Sequence, residues 1–180
     1  FDSNVVSGNA AAVNVDAIIY NVMDAFYMAC STFIGRNWGA GKKDRMLKSC
    51  YISLGYSFLI GAVLSAIFWI FREPFLYIFT NEADVAAAGV ERMQIMCFSY
   101  AISAFMDTTI AACRGMGKSL APTVIVIMGS CVFRVIWVYT VFAHFHTIPS
   151  LYLLYPFSWT LTAIAEIAYF IHSFRKLKLD

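Results

Sequence analysis

Five long apolar stretches, near 11–34, 50–71, 90–113, 122–142 and 151–174, follow one another with short polar connections between them. A helix that crosses the hydrocarbon core of a bilayer needs roughly 20 mostly apolar residues, and each stretch has that length. The first is the most polar. Of the 180 residues, 61% are hydrophobic, 17% aromatic and only 13% charged, whereas a soluble domain is about 45–50% apolar and about 25% charged. Both departures describe a molecule whose outer surface is itself apolar. The expected fold is therefore all-α: a polytopic membrane helix bundle with five transmembrane helices. Pro122 suits a first helical turn, where its missing N–H costs nothing. Pro156 falls inside the fifth stretch and predicts a kink there or a later helix start.

The five cysteines, Cys30, Cys50, Cys97, Cys113 and Cys131, are odd in number and lie in or beside apolar stretches, so no disulfide framework is expected. The formal charge of +2 is too small for a nucleic-acid partner. Residues 1–10 have no basic region and no compact apolar core, so they are not a signal peptide. They read as the end of a preceding helix and a Ser/Gly/Asn linker, and residues 175–180 read as a basic tail.

Lysine and arginine set the direction of the bundle. Alternate connections and the tail carry Arg36, Lys42, Lys43, Arg45, Lys48, Arg114, Lys118, Arg175, Lys176 and Lys178. The opposite connections carry only Arg72 and Arg92. By the positive-inside rule the richer side is cytoplasmic. The first stretch then starts outside and the C-terminus lies inside. An odd helix count with an outside start and no signal predicts further protein upstream, which makes this chain the C-terminal part of a larger membrane protein.

The glycine-rich segment FIGRNWGAGKKDRM, residues 33–46, looks at first like a phosphate cradle. A P-loop needs GxxxxGK[ST] after a strand. Here five residues separate Gly35 from Gly41, Lys43 stands where the magnesium-binding hydroxyl belongs, and an apolar helix precedes the loop. A dinucleotide fingerprint fails too, because Asp44 stands where its third glycine should be. The segment reads instead as a tight corner between helices. Its glycines, Gly35, Gly39 and Gly41, permit helix ends and left-handed turns. Lys42 and Arg45 lie at headgroup level, where anionic membrane lipid attracts them.

That segment resembles the loop found in each half of multidrug and toxic compound extrusion (MATE) transporters. AACRGMGKSLAP, residues 111–122, with Arg114, Gly115, Gly117 and Lys118, is similar to the family's second turn. EPFLYIFTNEADV (73–85) and FRVIW (133–137) are further matches in the expected order. The resemblance covers nearly the whole chain and implies helices eight to twelve of a twelve-helix protein, with both ends cytoplasmic. It implies efflux of organic cations or drugs by Na+ or H+ antiport, with rocking alternating access, in the plasma or inner membrane. It implies no enzyme activity and no cofactor beyond the coupling ion, and a missing N-terminal lobe as partner. Two rival readings are a lipid-linked precursor flippase of the same superfamily and a structural or assembly membrane protein without a transport cycle.

Charges inside spanning helices are expensive and often functional. The first stretch carries Asp16, near the outer surface, and Asp24, roughly 15–17 Å from the basic end. Tyr20 and Asn21 share a helix face with Asp24. That face can hold a cation, a proton or an amine. Alternatively Asp24 pairs with Arg134, roughly 18–20 Å deep, and locks two helices together. In the third stretch Ser99, Tyr100, Ser103 and Asp107 recur at helical spacing. Some family members bind a cation through an acid on this helix, although the spacing of Asp107 from the Arg-Gly turn differs. The other reading of Asp107 is a buried acid bonded to serines. Glu166 lies at a similar depth and could share a proton with it. His144 and His146 read as a solvated connection, with no third metal ligand in sight. Met93, Met96 and Met106, with Phe98 and Phe105, read as packing or as an adaptable pocket wall. No Ser–His–Asp pattern, HExxH or CxxC is present.

Overall fold

The computed structural model describes residues 3–177. Its helices are α1 (Ser3–Gly39), α2 (Lys43–Ile70), the short α3 (Arg72–Tyr77), α4 (Ala83–Gly115), α5 (Leu120–Phe145), the short α6 (Ile148–Tyr152) and α7 (Leu154–Arg175). Five of these units are long and apolar enough to cross a membrane, with α6 and α7 forming the last. The described residues contain no strand.

The helices outrun the apolar stretches that foretold them. Residues 3–10 continue α1 without a break and form no linker. Helix α4 starts at Ala83, so Arg92 belongs to a helix and not to a connection. Asp84 in the first turn of α4 and Arg114 in its last complement the helix dipole. Pro156 is the third residue of α7, so the helix is interrupted at Leu153 and starts again in the turn that holds the proline. Residues 1–2, and residues 178–180 of the basic tail, lie outside the described residues.

Helix α4 is the axis. Of its most apolar stretch 67% is buried, against 6% for α5. Helices α1, α2 and α7 pack around α4, and α5 rests mainly on α7 at the edge. The axial core joins Val15, Ile19 and Met23 of α1 to Met93, Met96 and Tyr100 of α4, with Trp159 of α7. Thus the methionines Met93, Met96 and Met106 are core residues. A second cluster toward the basic end gathers Cys30, Ile34, Met46, Cys50, Cys113 and Met116.

Helices α1 and α4 are separated by α2 and α3 in sequence, yet run parallel and in close contact. Glycine permits that approach at both ends of the seam. A methyl group on Gly8 would stand 2.5 Å from the Val85 carbonyl oxygen, and one on Gly115 would stand 2.7 Å from that of Ser31. Small residues at a membrane helix interface let backbones approach in this way. The two glycine-rich motifs thus divide their work. Gly35 and Gly115 face one another across the seam. Gly41 (φ 69°) and Gly117 (φ 73°) take the left-handed conformation that ends each helix. Lys43 Nζ donates to the Leu177 carbonyl at 3.0 Å and lies 5.2 Å from the Phe174 ring centre, which ties the last turn of α7 and the residues just after it to the first corner.

Helix α5 is irregular. Ile127–Val132 and Val138–Phe142 are π-helical, on either side of the α-helical turn Phe133–Trp137 that carries Arg134.

Candidate functional site

About two turns of α1 put Tyr20, Asn21, Asp24 and Tyr27 along one side of the helix. With Met23 and, from α4, Asp107, they line an open cleft of about 310 Å³. Asp24 is exposed and Asp107 half-buried. Neither carboxylate has a hydrogen bond or ion pair to any other described residue. They line the same cleft from two different helices. At the basic end of the cleft Arg114 Nη1 donates to the Tyr27 hydroxyl at 2.7 Å. At the other end Tyr20 stands edge-on to Tyr100 (5.6 Å between ring centres) and to Trp159 (6.2 Å), which Tyr155 flanks at 5.8 Å. The site is therefore an acidic cleft with an aromatic wall.

Several sequence expectations require correction. Asp24 and Arg134 form no pair. Arg134 Nε donates to Ser158 Oγ at 3.2 Å and its guanidinium lies 4.6 Å from the centre of the Tyr155 ring. Equal depth along two helices says nothing about which way their side chains face. The serines of α4 do not hold Asp107 either. Ser99 donates to the Ile95 carbonyl and Ser103 to that of Tyr100, within their own helix. Glu166 is wholly buried and does not line the cleft. Both its carboxyl oxygens lack a hydrogen-bond partner among the described residues. His144 lies in the last turn of α5 and His146 caps it in the left-handed conformation.

Asp16, which the sequence placed only by depth, has a structural partner. It is buried at the α1–α4 seam, where its Oδ2 accepts from Arg92 Nη2 at 2.5 Å and its Oδ1 from the Tyr100 hydroxyl. Arg92 Nη1 also donates to Asn9 Oδ1 at 2.6 Å and to the Asn9 carbonyl at 3.1 Å. This is the one ion pair among the described residues. It gives Tyr100 a clamping role, behind the aromatic wall. The sequence reading missed Arg92 because apolarity fades near residue 90 while the helix continues outward. It missed Tyr27, whose spacing from Tyr20 and Asp24 carried the helical signal.

Fold and cleft together define a polytopic membrane bundle, with unpaired acids between two of its spanning helices. The family model described as MatE matches residues 1–140. A probable multidrug resistance protein NorM of Thermotoga maritima is 25% identical over 119 residues, 66% of this chain and 26% of that protein. The human multidrug and toxin extrusion protein 1 is 26% identical over 112 residues, 62% of this chain and 20% of that protein. A solved MATE in complex with MaL6 has the same fold, with a TM-score of 0.87 at 15% identity over 96% of this chain and 39% of that one. The chain belongs to the MatE family of multidrug and toxic compound extrusion transporters. It spans well under half the length of these relatives, about a quarter of NorM in the matched part.

Proposed function

We propose that this chain forms the C-terminal lobe of a secondary antiporter that exports organic cations or drugs against inward Na+ or H+. The observation that carries the reading is the pair Asp24 and Asp107, two carboxylates in one cleft without partners among the described residues. In a medium of low polarity two close negative charges repel strongly. A cation in the cleft relieves that repulsion. Coupling ion and cationic substrate therefore compete for one pair of acids, and competition for a shared site is the thermodynamic basis of exchange. Alternating access follows if this lobe rocks against an N-terminal lobe and the bound cation biases the two openings differently. The excess of lysine and arginine at one end, Lys42, Lys43, Arg45 and Lys118 among them, supports a cytoplasmic orientation of that end in the plasma or inner membrane. With Arg92 inside α4, Arg72 is the remaining opposing connection charge.

The test is flux of an ethidium-type cation in proteoliposomes holding the intact protein, under Na+ and then H+ gradients. Gradient-driven uptake in the wild type, and its loss in both Asp24→Asn and Asp107→Asn, supports the reading. Absence of any gradient-dependent cation flux in the wild type overturns it.

A further inference from the structure

Between α2 and α4, in the half of the bundle away from the lysine-rich corner, lies an open groove of about 260 Å³. It shares no lining residue with the cleft of Asp24 and Asp107. On α2 its lining residues Ala62, Ser65, Ala66 and Trp69 recur at the three- and four-residue spacing of one helix face. Cys97 and Phe98 of α4 stand opposite. Small side chains form the floor, and the rings of Trp69 and Phe98, 6.3 Å between centres, wall the end nearest the α2 terminus. Phe98 is 71% exposed, and aromatic side chains collect at the membrane–water boundary. From Trp69 the groove runs back toward Ala62 for about 10 Å, at about 1.5 Å per residue.

Two polar groups interrupt this apolar surface. Ser65 is only 7% exposed, and its Oγ has no hydrogen-bond partner among the described residues. Ser49 and Ser99 instead donate to the carbonyl four residues earlier in their own helices, so the Ser65 hydroxyl remains available to the groove. One turn beyond Trp69, at the start of α3, lies Arg72. Its Nη1 donates to the Trp69 carbonyl at 2.8 Å, and its guanidinium carbon lies 5.3 Å from the centre of the Trp69 ring. Nη2 has no partner among the described residues, and no acid among them pairs with Arg72. Glu73, Glu82 and Asp84, in and beside the same connection, are exposed and likewise unpaired among the described residues.

Lipid tails are as apolar as the groove, so tail contact alone selects nothing. Selection has to come from the polar groups. Arg72 and Ser65, about 10 Å apart along the helix axis, offer one donor to a phosphate and one to an acyl ester carbonyl. We propose that the α2–α4 groove binds one diacyl phospholipid. Its phosphate lies on Arg72 Nη2, the ester carbonyl of one chain accepts from Ser65 Oγ, and that chain continues toward Ala62. The head group is zwitterionic, with its ammonium toward Glu73 and Glu82, because the site holds one cation among exposed acids. A sterol or a free fatty acid has a single polar end and satisfies only one of the two donors. The site does not depend on the transport reading above.

The test is native mass spectrometry of the intact, delipidated protein released from detergent. It is titrated with dioleoyl phosphatidylethanolamine or with the diether analogue, which has the same head group and chain length but no ester carbonyl. One lipid is retained per protein, and the diester binds about fivefold more tightly than the diether, as one hydrogen bond allows. Ser65→Ala abolishes that preference and leaves the diether's Kd unchanged. Arg72→Gln weakens both lipids about tenfold, as loss of one charge-assisted hydrogen bond allows, and keeps the preference. Ala66→Phe, at an exposed position of the floor, fills the groove and abolishes retention without lowering the melting temperature. Phosphatidylglycerol with the same chains binds the wild type more weakly than phosphatidylethanolamine. Equal Kd values for diester and diether in the wild type overturn the proposal. So does retention of the lipid in Ala66→Phe, a graded series of loosely held lipids with no retained first one, or a protein dimer that covers this face and excludes lipid. Equal or tighter binding of phosphatidylglycerol overturns the zwitterionic head group.

Discussion

Cutting the Asp16–Arg92 pair should reveal how much of the lobe's stability sits in one polar cluster. Asp16→Ala leaves Arg92, 5% exposed, charged and facing apolar helices. Stranding one partner of a buried ion pair costs about 3–5 kcal/mol. The Tyr100 hydroxyl, on a side chain with no exposure, loses its acceptor as well, which adds about 1–2 kcal/mol. Asp16→Ala should therefore cost about 4–7 kcal/mol, a large share of the stability of a typical domain. Removing both charges differs in kind. Asp16→Leu with Arg92→Met keeps the volume and also removes the penalty for taking both charges out of water, so its cost should stay below about 2 kcal/mol. The assay is reversible denaturant unfolding of the intact protein in mixed micelles, run on Asp16→Ala, on Asp16→Leu and Arg92→Met singly, and on their double variant. The interaction energy from the cycle should be about 3 kcal/mol or more. A cost below about 1 kcal/mol for Asp16→Ala, or a double variant equal to the sum of its singles, would refute the view that this pair clamps α1 to α4.

Gly115→Ala places a methyl group 2.7 Å from the Ser31 carbonyl oxygen and should cost about 1–3 kcal/mol. Gly39→Ala has nothing within 4 Å and should be neutral or better in thermal melts followed by size-exclusion chromatography. Glu166→Met replaces a carboxyl with two unpartnered oxygens by an apolar side chain of similar length. It should raise the melting temperature, by up to about 1–3 kcal/mol of added stability, and an unchanged or lower melting temperature would contradict that account. Asp24→Asn and Asp107→Asn should each lower coupled flux by at least about tenfold without changing the melting temperature. The double variant should be no worse than either single, because residues that act as a unit are not additive.

The parts of the architecture carried by composition were legible in the sequence. Five spans, the shared basic end and the roles of Gly41 and Gly117 follow from local rules of hydrophobic length, charge and backbone freedom. Tyr20, Asn21, Asp24 and Asp107 could be nominated because ionisable groups in apolar helices are rare. What failed needed azimuth, the direction a side chain takes around its helix. Asp24 and Arg134 matched in depth and do not meet. Asp16 and Arg92 do meet, 76 residues apart, although one was placed only by its depth and the other was assigned to a connection. Apolar windows mark where a helix lies in hydrocarbon, not where it ends, so the outer turns of α4 escaped notice. Glu166 stood out as an acid in an apolar stretch, but nothing local told that its neighbours would leave it without a partner among the described residues.

The parallel α1–α4 seam also bears on how the protein is made. Chains elongate at about 5–20 residues per second, so the 76 residues between Asp16 and Arg92 correspond to about 4–15 seconds of synthesis. Throughout that interval α1 carries an acid whose cation has not yet been translated. Inserting such a group alone into the bilayer costs about 2.5–3.5 kcal/mol near a helix centre. Helix α1 therefore holds an uncompensated charge until α4 is made, and the arrival of α4 supplies its partner.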